Sequence, residues 1–137
     1  MKGFGETNKP EKKKAKATNI SLSKEQFINQ AINYHLQGKI SEALKSYQYC
    51  INKGFQDHRV FSNYGAILKD LGKFQESEFY LRKAIELDPN SENYHYNLGL
   101  VLKDVGKLEE AEISTRKAIK IKPDDSEAHS SLGNILK

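Results

Sequence analysis

The side chains best equipped for chemistry are four histidines, one cysteine and a scatter of carboxylates. The sequence holds no phosphate-cradling glycine loop, no His-Glu-x-x-His pair and no Gly-x-Ser-x-Gly elbow. Cys50 stands alone, so neither an internal disulfide nor a cysteine zinc site can be built. The paired carboxylates Glu109 and Glu110 fall where a helix is expected to begin, a place that suits negative charge for its own sake. These residues predict a chain that is not an enzyme and needs no cofactor or metal. The amides are different. Asn29, Asn63 and Asn97 recur at a constant interval of 34 residues. Each amide offers two donors and an acceptor. A row of them can bond the backbone of an extended peptide without reading its sequence.

That interval runs through most of the chain. Asn63–Lys73 and Asn97–Lys107 are nearly parallel stretches, Arg82-Lys83-Ala84-Ile85 matches Arg116-Lys117-Ala118-Ile119, and Pro89 matches Pro123. One period earlier the register weakens, with Gly38-Lys39 and Ala43 still in place. One period later Leu132-Gly133 and Leu136 continue it. The repeats are therefore 24–57, 58–91 and 92–125, with half a repeat at 126–137. A period of this length marks a stack of supersecondary units.

Each repeat reads as two helices. Apolar residues recur three and four apart, as at Tyr94, Leu98, Val101 and Leu102, then Leu108, Ala111, Ala118 and Ile119. Gly72-Lys73 and Gly106-Lys107 supply the turns, and Pro89 and Pro123 stop the second helices. Asp124, Asp125 and Ser126 offer caps to the last helix. The spacing predicts helices over 24–37, 40–53, 58–71, 74–87, 92–105, 108–121 and 126–136.

This pattern resembles the tetratricopeptide-repeat (TPR) family. Repeat two carries its signature as Phe61, Tyr64, Gly65, Leu68, Ser77, Leu81, Ala84 and Pro89. Repeat three carries it as His95, Leu98, Gly99, Leu102, Ala111, Thr115, Ala118 and Pro123. Repeat one departs most, with Gln30 in the leucine position and Phe55 in place of proline. The resemblance covers 24–137. It implies an all-α, right-handed solenoid of stacked antiparallel helix pairs, three full repeats plus a C-terminal half repeat. Gly65 and Gly99 would then sit where paired helices approach closely. His95 and His129 would share a packing position about 10 Å apart, too far for one metal ion. Cys50 replaces a packing alanine and reads as a core thiol.

The resemblance further implies that the first helix of every repeat lines a concave groove. The positions facing it give Asn29, Asn63 and Asn97, with Arg59, Ser62, Ala66, Lys69, Asn93, Tyr96, Leu100 and Lys103 around them. The asparagines are similar to the ladder in the TPR array of O-linked N-acetylglucosamine transferases; asparagine is also simply common at that position. Lys69-Asp70 and Lys103-Asp104 serve either an acidic group on a ligand or the solvation of a helix end. Tyr96 is the expected anchor. Repeat one contributes the apolar set Ile28, Ile32, His35 and Leu36. The TPR clamps that hold chaperone C-terminal carboxylates need basic residues where this chain has Asn93 and Asn97, so that role is not expected. The predicted function is a scaffold binding a peptide or protein segment, with no small-molecule substrate. The alternative is a substrate-recruiting arm for a transferase on a separate polypeptide.

Charge is unevenly placed. Residues 1–24 hold seven lysines against Glu6 and Glu11, whereas the rest holds 15 basic and 16 acidic residues. A nucleic-acid-binding fold carries its basic stripe on the fold itself. Residues 1–19 are expected to be a disordered basic tail ahead of a 20–137 domain, able to make weak contacts with anionic lipid or nucleic acid. No signal-like leader and no stretch approaching membrane-spanning length is seen, so a cytoplasmic protein without membrane insertion is expected. At the other end Leu132 and Leu136 are expected to pack on repeat three and Ile135 to stay exposed, which would favour pairing with a second copy through the half repeat.

Overall fold

A computed structural model describes residues 24–137. The expected basic tail lies outside them. The described residues form seven helices: α1 (24–36), α2 (Ile40–Asn52), α3 (His58–Asp70), α4 (Phe74–Leu87), α5 (Glu92–Asp104), α6 (Leu108–Ile121) and α7 (Ser126–Leu136). No strand occurs among the described residues. Four helices end one residue before the expected position. The cause is visible after α3, where Leu71 closes the last turn and Gly72 takes the left-handed conformation (φ 79°). Gly72 N–H then donates to the Lys69 carbonyl and Lys73 N–H to the Leu68 carbonyl, which satisfies two orphan acceptors. Gly106 (φ 85°) repeats this arrangement one period later.

The chain divides into two compact bodies, one ending at Phe55 and the other spanning Gln56–Lys137. In the first, α1 and α2 bury Ile28, Ala31, Ala43, Tyr47 and Cys50 completely. The Phe27 and Tyr49 rings lie 4.7 Å apart at its surface. Ile28 was expected on the groove wall and is instead core. It lies three residues before Ala31, so both fall on the buried stripe of α1. Leu36 does face solvent, at 81% exposure.

The second body is a stack of helical hairpins. α3 pairs with α4 and α5 with α6, while α4 packs on α5 and α6 on α7. Close approach within each hairpin depends on glycine. A Cβ on Gly65 would lie 2.9 Å from Leu81 Cγ, and one on Gly99 would collide with the Thr115 hydroxyl. Ser77 Oγ donates to the Gly65 carbonyl at 2.6 Å, across the first hairpin.

The last helix corrects the sequence reading. Ile135 is buried at 8% exposure in one cluster with Leu81, Leu98, Val101, Leu102 and Ala111, and Leu136 is 56% exposed. Ala128, Ser131 and Ile135 form the inward stripe of α7, three and four residues apart. Leu136 points elsewhere because it follows Ile135 by only one residue on a helix. Ile135 stands one period after Val101 and two after Ile67, both buried as well.

Candidate functional site

The inner wall begins with how the helices touch. Within the second body the first helices of successive repeats are neighbours, α3 beside α5 and α5 beside α7, whereas α4 and α6 share no comparable contact. The stack therefore closes on the first-helix side and splays on the other. Residues four, three and three apart share one face of each first helix: Arg59, Asn63, Ala66 and Lys69 on α3, and Asn93, Asn97, Leu100 and Lys103 on α5.

Asn63 and Asn97 are both half-buried, on adjacent helices. Neither side-chain amide is hydrogen-bonded among the described residues. They are fixed by their helices and still have bonding capacity to offer. Tyr96 is also half-buried. Burial raises its hydroxyl pKa above the usual tyrosine value, and the carboxylates of Glu127, Asp125 and Glu92 add to the effect. Beside it lies a shallow cavity of about 210 Å³ that extends from α5 to α7, with Leu100, Lys103, Glu127, Ser130 and Asn134 among its walls. The α7 residues were missed in the sequence. The signal existed, since Glu127, Ser130 and Asn134 occupy the periodic positions of Asn93, Tyr96 and Leu100.

Two other candidate residues are already engaged. Arg59 grips Asp57 through Nε at 3.0 Å and a terminal nitrogen at 2.8 Å, while Asp57 also caps α3 by accepting from Arg59 N–H at 2.9 Å. Burial alone would raise the Asp57 pKa; the Arg59 hydrogen bonds and charge outweigh it and hold the carboxyl below the usual range. Ser62 is buried and turned onto its own helix, donating to the Arg59 carbonyl at 3.2 Å. Lys69 Nζ lies 3.6 Å from the solvent-exposed Asp70 carboxylate, a pairing of little strength. Asn93 is exposed. Asn29 belongs to the other body, where it shares a recess of about 460 Å³ with Gln26, Gln30, Asn33 and Gln37.

The histidines have structural partners. His95 Nε2 lies 2.7 Å from the Pro89 carbonyl and His129 Nε2 lies 2.8 Å from that of Pro123, the same link one period apart. His58 Nδ1 meets the Tyr94 hydroxyl at 2.6 Å, and His35 Nδ1 meets that of Tyr47 at 3.3 Å. No cluster of three metal-ligating side chains occurs among the described residues. None of their helices is long and apolar enough to cross a membrane.

Comparison with known proteins follows the same periodicity. A TPR-repeat family model matches residues 65–106, and a tetratricopeptide-repeat model matches 92–125. Repeat one, where Gln30 and Phe55 depart from the pattern, lies outside both matches. No curated protein matches by sequence. Among solved structures, the first TPR domain of Spaghetti, bound to an HSP90 peptide, superposes with a TM-score of 0.75 at 22% identity, covering 82% of this chain and 90% of that one. The Yersinia enterocolitica type III secretion chaperone SycD, in complex with a peptide of the translocator YopD, gives 0.71 at 23% identity, covering 82% and 91%. A Thermobaculum terrenum O-GlcNAc transferase gives 0.75 at 25% identity, covering 85% of this chain but only 22% of the enzyme. The 34-residue period, the glycine-spaced hairpins and these matches make residues 65–125 tetratricopeptide repeats, within an all-α TPR fold.

Proposed function

We propose that this chain is a non-catalytic scaffold that holds an extended peptide or protein segment along the wall formed by its first helices. One observation carries the reading: Asn63 and Asn97 present unbonded amides from neighbouring helices of one rigid stack. Adjacent helices lie about 10 Å apart. That step equals about three residues of extended chain. An extended ligand would meet one amide at every third residue. Tyr96, Leu100 and the recess toward α7 would take a ligand side chain, and Lys103 would favour a carboxylate near it. Solved TPR domains of similar fold hold peptides, which supports the same use here.

The test is a peptide-display selection on the full chain, followed by titration of the best peptide against the Asn63→Ala/Asn97→Ala variant. Losing two amide contacts should weaken binding by about 1–3 kcal/mol, with helicity and melting unchanged. A collapse of melting would make the asparagines structural, and an unchanged affinity would remove the ladder.

A further inference from the structure

The row of positions that carries Asn63 and Asn97 continues beyond α5. Its next member is Ser131 of α7, one 34-residue period after Asn97. Ser131 is buried at 5% exposure, and its hydroxyl has no hydrogen-bond partner among the described residues. A buried hydroxyl left unbonded costs the fold free energy that an alanine there would not. The same side chain borders the recess of about 210 Å³ between α5 and α7. An occupant of that recess is placed to supply the missing bond.

The remaining walls say what kind of group fits. Leu100 is their one aliphatic member, while Tyr96, Ser130 and Asn134 each bring a polar group. Lys103 lies in the last turn of α5 and Glu127 in the first turn of α7, and both line the recess. Neither makes an ion pair, with the other or elsewhere, among the described residues. One hollow therefore holds a charged donor and a charged acceptor kept apart. Beyond the walls, the Glu92 and Asp125 carboxylates share a hydrogen bond and act on Tyr96, with Lys122 facing them. Both signs thus surround the recess, and no charged side chain is matched by it: Glu127 repels a carboxylate and Lys103 an ammonium. A carboxylate that pairs with Lys103 has to stay outside. A carboxamide is uncharged, and its forked head donates on one side and accepts on the other. Resting on the peptide-holding role of the inner wall, we propose that the α5–α7 recess is a specificity pocket for one glutamine or asparagine side chain of the bound segment. The Ser131 hydroxyl and the Lys103 ammonium serve as donors to its oxygen, and the Glu127 carboxylate accepts from its nitrogen. Since α5 and α7 are neighbours, about 10 Å apart, that residue stands about three positions from the one held by Asn97.

The test uses the full chain and a random-sequence peptide library displayed on phage. Selected binders should share glutamine or asparagine at one position. Replacing that residue of the strongest peptide by glutamate, lysine or methionine should each weaken binding about tenfold or more, the scale of lost hydrogen bonds to charged groups. Ser131→Ala should keep or raise the melting temperature, weaken the carboxamide peptide about three- to tenfold and leave the methionine peptide unchanged. Glu127→Ala, at an exposed position, should narrow the preference for the carboxamide over glutamate. Equal binding of the carboxamide and methionine peptides, a preference for glutamate or lysine, or a Ser131→Ala chain that melts lower and binds fully would overturn the proposal. The Asn63→Ala/Asn97→Ala variant separates the two readings. If it binds more weakly while the peptide tolerates any residue at the shared position, the wall stands and the pocket falls. If it binds every selected peptide fully, or if no peptide is selected, the wall falls and the pocket with it.

Discussion

The Ser77 hydroxyl reaches across the first hairpin of the second body and donates a 2.6 Å hydrogen bond to the Gly65 carbonyl. The same position is alanine in the neighbouring repeats, at Ala43 and Ala111. Ser77→Ala should therefore fit without strain and lose one buried bond, costing about 0.5–1.5 kcal/mol. Urea denaturation checks this. A loss beyond about 3 kcal/mol would mean that the hydroxyl organises more than this one carbonyl.

The glycines separate by what surrounds them. A side chain at Gly65 would push into Leu81, so Gly65→Leu should overpack the hairpin and destabilise it by about 1–3 kcal/mol or more. Gly133 has open space around it within α7. Gly133→Ala should raise stability by up to about 1 kcal/mol through helix propensity alone. Thermal melting of the pair should show shifts of opposite sign.

Burial of Ile135 makes α7 part of the fold rather than an appended helix. Ile135→Ala should cost about 2–5 kcal/mol. Leu136→Ala, at an exposed position, should change stability by less than about 0.5 kcal/mol. Hydrogen exchange in α7 should rise in the first variant and not in the second. Equal effects would contradict the inward stripe.

Glu92 at the start of α5 links the fold to pH. Burial pushes its pKa from 4.5 up to about 7, and a shared hydrogen bond with Asp125 and the charges of Asp125 and Glu127 add to this, against Lys122. One Glu92 oxygen is buried without a partner. Between these two values the folded chain holds a proton that the unfolded chain has released, so Glu92 loses stabilising effect as pH rises through about 7. Asp125 is depressed, chiefly by the Glu92 hydrogen bond, and works in the other direction, losing its contribution only in acid. Comparing melting of the wild type with Glu92→Gln from pH 5 to 8 isolates the effect. The wild type should fall relative to the variant as pH rises; parallel curves would remove the proton from the account.

The helices were readable because the 34-residue period repeats each turn signal, and Gly72, Gly106, Pro89 and Pro123 mark boundaries by backbone geometry alone. The close approach at Gly65 and Gly99 was readable for the same reason. Side-chain direction was harder. Ile28 and Ile135 are buried and Leu136 exposed because a shift of one residue turns a helical side chain by about 100°, from 3.6 residues per turn. The asparagines were found by recurrence. The engagement of Arg59 by Asp57 was not, because it depends on the Asp57 cap folding back on the first turn of α3.

The most direct measurement is the side-chain amide NMR signals of Asn63 and Asn97 during titration with a display-selected peptide. Both pairs should shift together and saturate with the affinity of the peptide. If the peptide binds while both signals stay still, the ligand lies elsewhere and the inner wall is not its site.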